Sequence, residues 1–422
     1  MDHLRRRHRK ETRNPNQTPA NPGPGQTSRI TSAMNSHLNI THFAGPIRLE
    51  LGGVVRAILD MAGALAAQGH GVTVVTHDPT DVPELWRHNR PGVPKLVQID
   101  PPGALGKPTA RSSDVINRII NASDIVHLHT PWDQLNPRIA KACTRLGTPY
   151  FISIHGMLDD WSMSQKSLKK QLFLKLSAKA MLEHAAAVHC TAQAELDQSK
   201  RWYPGGTGVV VPLIFDLDPY LLLPGPESAR EHFNIDPSTP AVLFLSRLHV
   251  KKGVHILIDA AKILADRGVK IQLLLAGTGD EPYIAGLRSQ IQRLGLEDSV
   301  RLLGMVKGEQ KVSLYEAADV FALPTSQENF GFVLPEALAC RTPAITTRGV
   351  DIWPELESSG STLIIDQTAD AFADALADLL SDDARREMMG ESGRSWVLET
   401  LNPESVVGRY SSLYHQATGE DR

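Results

Sequence analysis

The sequence has few cysteines, few aromatic residues and no long apolar run. Its three cysteines, Cys143, Cys190 and Cys340, lie too far apart in the chain to form a disulfide framework or a zinc cluster. No stretch of about 18 apolar residues occurs, so the sequence predicts no membrane-spanning helix. These absences favour a protein of the reducing cytoplasm. At 422 residues, the chain is long enough for two domains, each with its own core.

A net charge is nearly absent, but the basic residues are unevenly placed. The chain has 44 Lys and Arg against 47 Asp and Glu, and seven of the basic residues fall within residues 1–33. That segment is rich in Pro, Asn and Gly and has no apolar periodicity, which predicts a disordered basic tail. It also lacks the apolar stretch of a secretion signal. We favour a solvated tail, or a true start at Met34, over a basic arm for nucleic acid, and therefore expect no nucleic-acid partner.

After this tail, short strand-like runs alternate with helical segments in two successive series. The first series lies within 34–214 and the second within 215–401. The β-rich runs are 38–43, 72–76, 124–129, 150–155, 186–191 and 208–213, followed by 241–246, 271–277, 299–304, 319–324, 343–347 and 361–366. Continuous apolar runs of this length are typical of parallel strands buried on both faces. The sequence therefore predicts an α/β protein of two doubly wound Rossmann-like domains facing across a cleft.

Ligands of doubly wound sheets bind outside the carboxyl ends of the strands, so charged residues at those positions are the first candidates for a site. Arg247 and Lys252 follow the predicted strand 241–246 in "SRLHVKKG". An arginine can form two parallel hydrogen bonds to phosphate oxygens, and a lysine supplies a point charge. By themselves, two such cations also fit a solvated loop.

A second candidate follows the strand 319–324, in "QENFGFVLPEALACRTPAITT". A helix predicted to begin near Gly331 would leave the amides of Gly331, Phe332 and Val333 without partners inside the helix, which makes an anion site. Glu328 precedes these amides and Glu336 follows them. Carboxylates cannot bind phosphate, but they accept hydrogen bonds from sugar hydroxyls. The arrangement predicts a phosphate with a sugar on either side, which describes a nucleotide-sugar.

These motifs resemble those of the family-four (group 1) retaining glycosyltransferases of the GT-B fold. The resemblance rests on Glu328 and Glu336 in "ENFGFVLPEALA", on "SRLHVKKG", and on "GGVVRAILDMAGALAAQGHGVTVVT" near the N-terminus, and it runs from about residue 38 to 415. It implies that a terminal helix, 402–417, returns to pack on the first domain. It also implies transfer from a UDP- or GDP-sugar to a hydroxyl acceptor, in cell-surface polysaccharide or glycolipid assembly.

The resemblance further implies a role for each matching residue. Arg247 and Lys252 would neutralise the donor diphosphate together with the amides of residues 331–333, so that neither a metal nor a cofactor is expected. Glu336 would hold the ribose, and Glu328 the transferred sugar. His155, in "SIHG", matches a family histidine near the reacting sugar, and Gly52 with Gly53 would let backbone approach the donor or the acceptor. The first domain would be the acceptor side and the second the nucleotide-sugar side.

The sequence departs from the family pattern at two places and carries two imitations of metal motifs. "VPLIFD" (211–216) replaces a usual Pro-Asn-Gly turn, and "RGVDIWPELESSG" (348–360) replaces a glycine-glutamate segment.

"DLD" (216–218) imitates the Asp-x-Asp metal motif, but it falls between the predicted domains. His127 and His129 share one face of a strand without a third ligand at recognisable spacing, and we interpret them as core or crevice lining.

Segment 161–185 combines five lysines with leucines at helical spacing. It predicts a basic amphipathic helix, which fits peripheral contact with the inner face of an anionic membrane. A surface helix with a solvated lysine face is the alternative. A carbohydrate or a lipid-linked molecule is expected as the acceptor.

Two other functions remain open for a chain of this pattern. A nucleotide-sugar epimerase of the same fold would form product without an acceptor. A non-catalytic nucleotide-sugar-binding subunit would bind a donor without turnover.

Overall fold

The computed structural model describes residues 37–164 and 167–419, and the predicted basic tail 1–33 lies outside these ranges. The described chain contains two parallel β-sheets surrounded by helices. The first sheet has strand order β3-β2-β1-β4-β5-β6-β7 and the second β10-β9-β8-β11-β12-β13. Both orders double back from a central strand, as doubly wound sheets do. The predicted fold class, two Rossmann-like domains, is confirmed.

The strand bounds are β1 Asn39–Phe43, β2 Gly71–Thr76, β3 Lys95–Gln98, β4 Ile125–His129, β5 Tyr150–Ser153, β6 Ala187–Cys190, β7 Gly208–Val210, β8 Ala241–Leu245, β9 Gln272–Ala276, β10 Val300–Gly304, β11 Val320–Leu323, β12 Ala344–Thr347 and β13 Thr362–Ile365. Every predicted strand is present. The sequence did not predict β3, because it is an edge strand whose four residues "KLVQ" are only half-buried or exposed. A strand of that kind carries no continuous apolar signal.

The helix bounds are α1 Gly53–Ala67, α2 Ala110–Asn121, α3 Asn136–Leu146, α4 Asp160–Ser164, α5 Ser167–Phe173, α6 Lys179–Glu183, α7 Gln193–Ser199, α8 Asp218–Leu221, α9 Glu227–Phe233, α10 Val254–Asp266, α11 Glu281–Leu294, α12 Gly308–Glu316, α13 Val333–Ala339, α14 Trp353–Ser358, α15 Ala369–Leu380, α16 Asp383–Thr400 and α17 Pro403–Thr418. Helix α1 illustrates why they form. Its buried residues, among them Met61, Ala62 and Leu65, recur at helical spacing and pack into the core of the first sheet.

The last helix, α17, packs on the first sheet, as predicted. Asn402 caps it through a side-chain hydrogen bond to the amide of Ser405, at 3.2 Å, and Pro403 occupies its first turn. Val406, Val407, Tyr410 and Tyr414 are buried in one core with residues of β1, β2 and α1. The chain therefore crosses from the second sheet back to the first before it ends.

Segment 161–185 differs from the prediction of a continuous amphipathic helix. In its described part, α5 passes into a π-helical turn, Leu174–Ala178, which leads into the short helix α6. Leu174 is buried there. Leu168, Leu172 and Leu176, by contrast, are 82, 59 and 72 % exposed. The apolar stripe of this segment thus faces solvent, and the helix has an irregular turn that its spacing did not indicate.

Candidate functional site

The loop after β8 carries the two predicted cations. Arg247 lies just beyond the strand, and Lys252 ends a 3₁₀ turn, Val250–Lys252, that leads into α10. Gly253 connects this turn to α10 and has a φ of +68°. A Cβ atom added at Gly253 would lie 2.0 Å from the Pro324 carbonyl oxygen. Only glycine allows this approach, because it has neither the steric limit on positive φ nor the extra carbon. The loop is thereby drawn against the chain that follows β11.

Lys252 is 7 % exposed, and its ammonium group contacts the carboxylate of Glu328. Burial, followed by the charges of Lys251 and Arg247, lowers the pKa of Lys252 to about 7. The ion pair with Glu328 opposes that shift, because a nearby carboxylate favours the charged ammonium. Arg247 is exposed. The structure thus brings together Lys252 and Glu328, which lie 76 positions apart in the sequence, and places the charge of Arg247 near them.

The loop that carries Glu328 is held by backbone contacts. The Glu328 amide donates to the Gly349 carbonyl oxygen at 2.7 Å, and the Glu328 carbonyl accepts from the Asp351 amide at 3.0 Å. Gly331 adopts a φ of +64°, and an added Cβ would meet the Glu328 side chain at 2.9 Å. Helix α13 begins at Val333 rather than near Gly331, which corrects the predicted start. Positive φ at Gly331 cannot continue a right-handed helix.

The amides of Gly331, Phe332 and Val333 still point out of the helix start. Within the described chain, no hydrogen bond donated by these three amides is found. Pro335 fits in the first turn because its missing N–H group would have had no helical partner. The short helix therefore offers backbone donors beside the Lys252–Glu328 pair.

Glu336, on α13, contacts a different set of side chains from Glu328. Its carboxylate accepts a hydrogen bond from the Lys311 ammonium at 2.7 Å and another from the Tyr315 hydroxyl at 2.9 Å. It lines a cavity of about 280 Å³ together with Arg56, Asp216 and Tyr220. Two fixed donors leave the carboxylate oriented but still facing an open space. No sequence signal pointed to Lys311 or Tyr315, which lie on α12.

Gly52 and Gly53 lie at the start of α1, whose Arg56 lines the same cavity as Glu336. Gly52 has a φ of +102°, and a Cβ added at either glycine would meet no atom within 4 Å. The positive φ at position 52 thus favours glycine there, and both glycines border open space. We call the part of the chain built around the first sheet the first half and the part built around the second sheet the second half. The start of α1 in the first half and Glu336 in the second half therefore face a common cavity.

His155 follows β5 and has a φ of +51°. Its Nε2 atom lies 3.2 Å from Nδ1 of His129, and burial lowers the pKa of His155 to about 3. Gly156 comes next and packs so closely on Asn329 that an added Cβ would lie 2.8 Å from the asparagine Cβ. The turn at His155 and the loop at Glu328 therefore meet across the cleft.

Behind His155 lies a network of buried histidines that the sequence indicated only in part. Its ring atoms connect His42 to His129 at 3.0 Å, and His127 to the Ser153 hydroxyl at 2.7 Å. The Ser153 hydroxyl also lies 2.7 Å from His189. The interpretation of His127 and His129 as core or crevice lining is confirmed, since both are buried. His42 and His189 were missed, because isolated histidines in apolar strands carry no pattern of their own.

The imitated metal motifs do not form a cluster. Asp216 and Asp218 are exposed, and Asp216 lies 3.9 Å from Arg56. Within residues 37–164 and 167–419, no group of three or more His, Cys, Asp or Glu side chains is placed to hold a metal ion.

No helix in this part of the chain is long and apolar enough to cross a membrane.

Comparison with known sequences gives two family matches. The family described as "Glycosyl transferases group 1" matches residues 227–396, and the "Glycosyl transferase 4-like domain" matches residues 52–213. D-inositol 3-phosphate glycosyltransferase of Corynebacterium urealyticum is 34% identical over 39% of this chain and 40% of its own. N-acetyl-alpha-D-glucosaminyl L-malate synthase of Bacillus anthracis is 30% identical over 46% of this chain and 50% of its own. This chain thus spans half or less of the length of these relatives.

Comparison with solved structures extends the likeness to nearly the whole chain. The structure of HepE from Anabaena, in complex with UDP, superimposes with a TM-score of 0.75 over 90% of this chain and 100% of its own, at 20% identity. At that identity the likeness establishes the fold alone. Together with the two family matches and the strand-end cations and carboxylates, it leads to one conclusion: the chain belongs to the group 1 glycosyltransferases of the GT-B fold.

Proposed function

We propose that this protein is a retaining, metal-independent glycosyltransferase. It moves a sugar from a UDP- or GDP-sugar to a hydroxyl of a carbohydrate or lipid-linked acceptor. The donor would bind at the carboxyl edge of the second sheet, with its diphosphate against Arg247, Lys252 and the amides at 331–333. The HepE structures with UDP and with UDP-glucose support a nucleotide-sugar as the donor.

The observation that carries this proposal is the contact between the buried Lys252 ammonium and Glu328. A buried cation without an anion is costly, so Glu328 compensates the charge when no donor is present. A bound diphosphate supplies that negative charge instead. Lys252 then turns to phosphate, and the Glu328 carboxylate is released to accept hydrogen bonds from the transferred sugar. The pair thus couples donor binding to the availability of Glu328.

The reaction breaks the bond between the anomeric carbon and the diphosphate oxygen and forms one to the acceptor oxygen. The acceptor proton passes to the departing diphosphate, so the products are the glycoside and the nucleoside diphosphate. Arg247, Lys252 and the helix amides stabilise the charge that grows on the leaving group. His155, neutral because burial lowers its pKa to about 3, can donate or accept one hydrogen bond at the reacting sugar without adding charge.

The decisive experiment is a melting-temperature screen with UDP- and GDP-sugars, followed by a transfer assay on the best ligand. A donor at about 100 times its Kd should stabilise the fold by about 2.7 kcal/mol. Retention is read from the anomeric configuration of the product by NMR. A melting temperature unchanged by every donor, with no nucleoside diphosphate released, would reject the proposal.

Controls separate the remaining alternatives. An epimerase would convert the donor with no acceptor present, and a non-catalytic subunit would bind the donor without releasing nucleoside diphosphate. Activity is expected to persist in excess EDTA. Strict dependence on added Mg²⁺ or Mn²⁺ would instead assign a role to Asp216 and Asp218.

We further propose that the first half contacts an anionic membrane surface from the cytoplasmic side. The exposed Leu172 and Leu176 border an apolar groove of about 930 Å³ between α3 and the segment 169–184. Its rim is basic, and no Asp or Glu lines it among the described residues; the cations are Arg138, Lys141, Arg145 and Lys169. Exposed leucines beside a cationic rim fit anionic lipid headgroups above acyl chains.

Vesicle sedimentation tests this contact. The protein should sediment with phosphatidylglycerol vesicles and not with pure phosphatidylcholine vesicles. Replacing both leucines, L172E with L176E, should reduce binding at least tenfold. Leu222 of the second half is 90 % exposed, and L222E is therefore the matched control that should bind as the parent does. Equal binding by the double variant would rule out the contact, as would self-association of the leucine face without any lipid binding.

A further inference from the structure

The residues on both sides of Glu328 are attached to the first half of the molecule. Gln327 donates through Nε2 to the Asp159 carboxylate at 2.7 Å. Asn329 accepts through Oδ1 from the Thr191 hydroxyl at 3.2 Å and packs on Gly156. Glu328 itself belongs to the second half. The contacts of its two neighbours therefore fix the position of the Glu328 loop relative to the first half, which is the proposed acceptor side.

Asn329 is held from both halves at once. Its Nδ2 donates to the Asp351 carboxylate at 3.0 Å, within the second half. Asp351 also accepts from Gln198 Nε2 of the first half at 3.1 Å. The amide therefore has an acceptor on one side and a donor on the other, and an amide side chain satisfies both at every pH without a charge, whereas a carboxyl does so only when it is protonated.

Glu195 completes the arrangement on the first half. It is nearly fully buried, and its carboxylate accepts from the Gly156 amide and, at 2.5 Å, from the Thr191 amide, so the single hydroxyl proton of Thr191 is available to Asn329. It thereby ties the His155–Gly156 turn to Thr191, and Thr191 in turn contacts Asn329. A continuous hydrogen-bonded chain runs from the turn at His155 to the loop at Glu328.

The geometry points to Asn329 as a positioning residue that locks the Glu328 loop onto the His155 turn when the two halves close. This inference rests on the proposed transferase function for its activity readout. The residue touches no reacting atom. It sets the relation between a donor-side carboxylate and an acceptor-side imidazole, and small errors in such placement are costly in rate.

The charges around Asn329 explain why an amide is needed there. Asp351 faces Glu195, Asp159 and the Cys190 thiol, and Lys251 lies near Asp159. Burial, followed by the charge of Glu195, raises the pKa of the Asp351 carboxyl to about 8. An aspartate in place of Asn329 would add another carboxylate to this cluster. It would also leave Asp351 without the amide donor.

The test exchanges amide and carboxylate between positions 329 and 351. Asn329→Asp should lower kcat about a hundredfold at pH 8, since it leaves a buried acceptor unpaired and adds repulsion. The donor KM should change by less than about threefold, because the diphosphate contacts remain. At pH 5.5 the loss should shrink at least tenfold, because a protonated carboxyl again offers one donor and one acceptor.

The double variant Asn329→Asp with Asp351→Asn restores a donor opposite an acceptor. At pH 8, kcat of the double variant should be at least tenfold higher than kcat of Asn329→Asp. Asn402→Asp is the matched control, because an aspartate caps α17 as well as the asparagine does, and it should leave kcat and melting unchanged. A kcat of the single variant that is independent of pH, or a double variant no better than the single one, would overturn the proposal.

Small-angle scattering makes the test independent of catalysis. The single variant should have a larger radius of gyration than the parent at pH 8, and the double variant should return towards the parent value. Identical scattering of parent and single variant would contradict the lock even where transfer is observed. If no donor supports transfer, the proposed function fails, while the scattering still decides whether Asn329 holds the halves together.

Discussion

The carboxyl edges of the two sheets carry opposite kinds of chemistry on the same topology. The first edge is lined by buried histidines: His42, His127, His129, His155 and His189. Burial lowers the pKa of each of these imidazoles, so they are neutral near pH 7. The second edge carries Arg247, Lys252 and Lys311 with the carboxylates of Glu328 and Glu336.

The difference follows what each side is proposed to bind. A diphosphate requires cations, and the second edge keeps them charged by pairing the buried ammonium with a carboxylate. A sugar hydroxyl or a neutral acceptor needs donors and acceptors of hydrogen bonds, and in the proposal the neutral imidazole of His155 supplies one without attracting a second diphosphate. Fold alone therefore does not assign function to an edge. The charge state of the side chains there does.

The largest effect is expected from removing the helix that covers the histidine edge. Truncation after Leu401 deletes Val406, Val407, Tyr410 and Tyr414, each almost fully buried. At about 2 kcal/mol per buried side chain, the loss is comparable with the roughly 5–15 kcal/mol by which domains are folded. Calorimetry should find no cooperative transition for the first half. Deletion of residues 1–33 is the control and should change neither melting nor turnover; an unchanged transition after the truncation would show that α17 is dispensable.

At the charged edge, Lys252→Ala or Arg247→Ala should lower kcat by about 10²–10³-fold, because a preorganised charge contact to the leaving group is lost. Lys262→Ala, at an ion pair with Asp266 on α10, is the matched control and should retain full activity. Steady-state kinetics with the identified donor provides the measurement. If both site variants keep most of their activity, the diphosphate does not bind at this edge.

The pH profile should distinguish the two edges. Lys252 must be charged to bind the diphosphate, and burial with its cationic neighbours lowers its pKa to about 7, so kcat/KM for the donor should fall as pH rises above about 7. The histidines remain neutral down to about pH 5, so their protonation should cause no fall in kcat/KM between pH 7 and pH 5. Lys252→Arg stays charged throughout, so the decline above about pH 7 should be absent or shifted to higher pH in this variant. An unmoved midpoint would assign the alkaline limb to another group.

The smallest effect is expected from a single hydroxyl at the histidine edge. Tyr414→Phe removes the contact, 2.6 Å long, between the tyrosine hydroxyl and Nδ1 of His127. Leaving that buried nitrogen unpaired should cost about 1–3 kcal/mol and lower the melting temperature by a few degrees. Ser412→Ala, which loses only a contact to the Gly408 carbonyl of its own helix, should melt as the parent does. Equal melting of both variants would mean that the network is not stabilised by this bond.

Much of the fold could be predicted because it depends on continuous apolar runs. β1 and β8 each have four consecutive buried residues out of five, and such runs define parallel strands without reference to their neighbours. β3 could not be predicted, because its four residues are half-buried or exposed and form no continuous apolar run. The π-helical turn at Leu174–Ala178 also escaped prediction, since a register change inside a helix leaves the apolar spacing nearly unaltered.

The site was predictable to the extent that its residues share a motif. Arg247, Lys252, Glu328 and Glu336 stand in two short segments, and each segment follows a strand. The partners of these residues were not predictable. Lys311 and Tyr315 reach Glu336 from α12, where no motif in the sequence marks them. The proposed roles of the motif residues remain predictions for the kinetics above.

By itself, the sequence determined the two parallel sheets, the terminal helix and the residues at the strand ends, whereas the return of that helix to the first sheet was implied only by the family resemblance. These depend on local periodicity and on which side chains follow each strand. The tertiary structure decided which of those side chains meet. Lys252 meets Glu328 because Gly253 lets the β8 loop approach the chain after β11. Asn329 meets the His155 turn because the two halves close on each other. Contacts between distant segments depend on how the elements pack, and no short stretch of sequence contains that information.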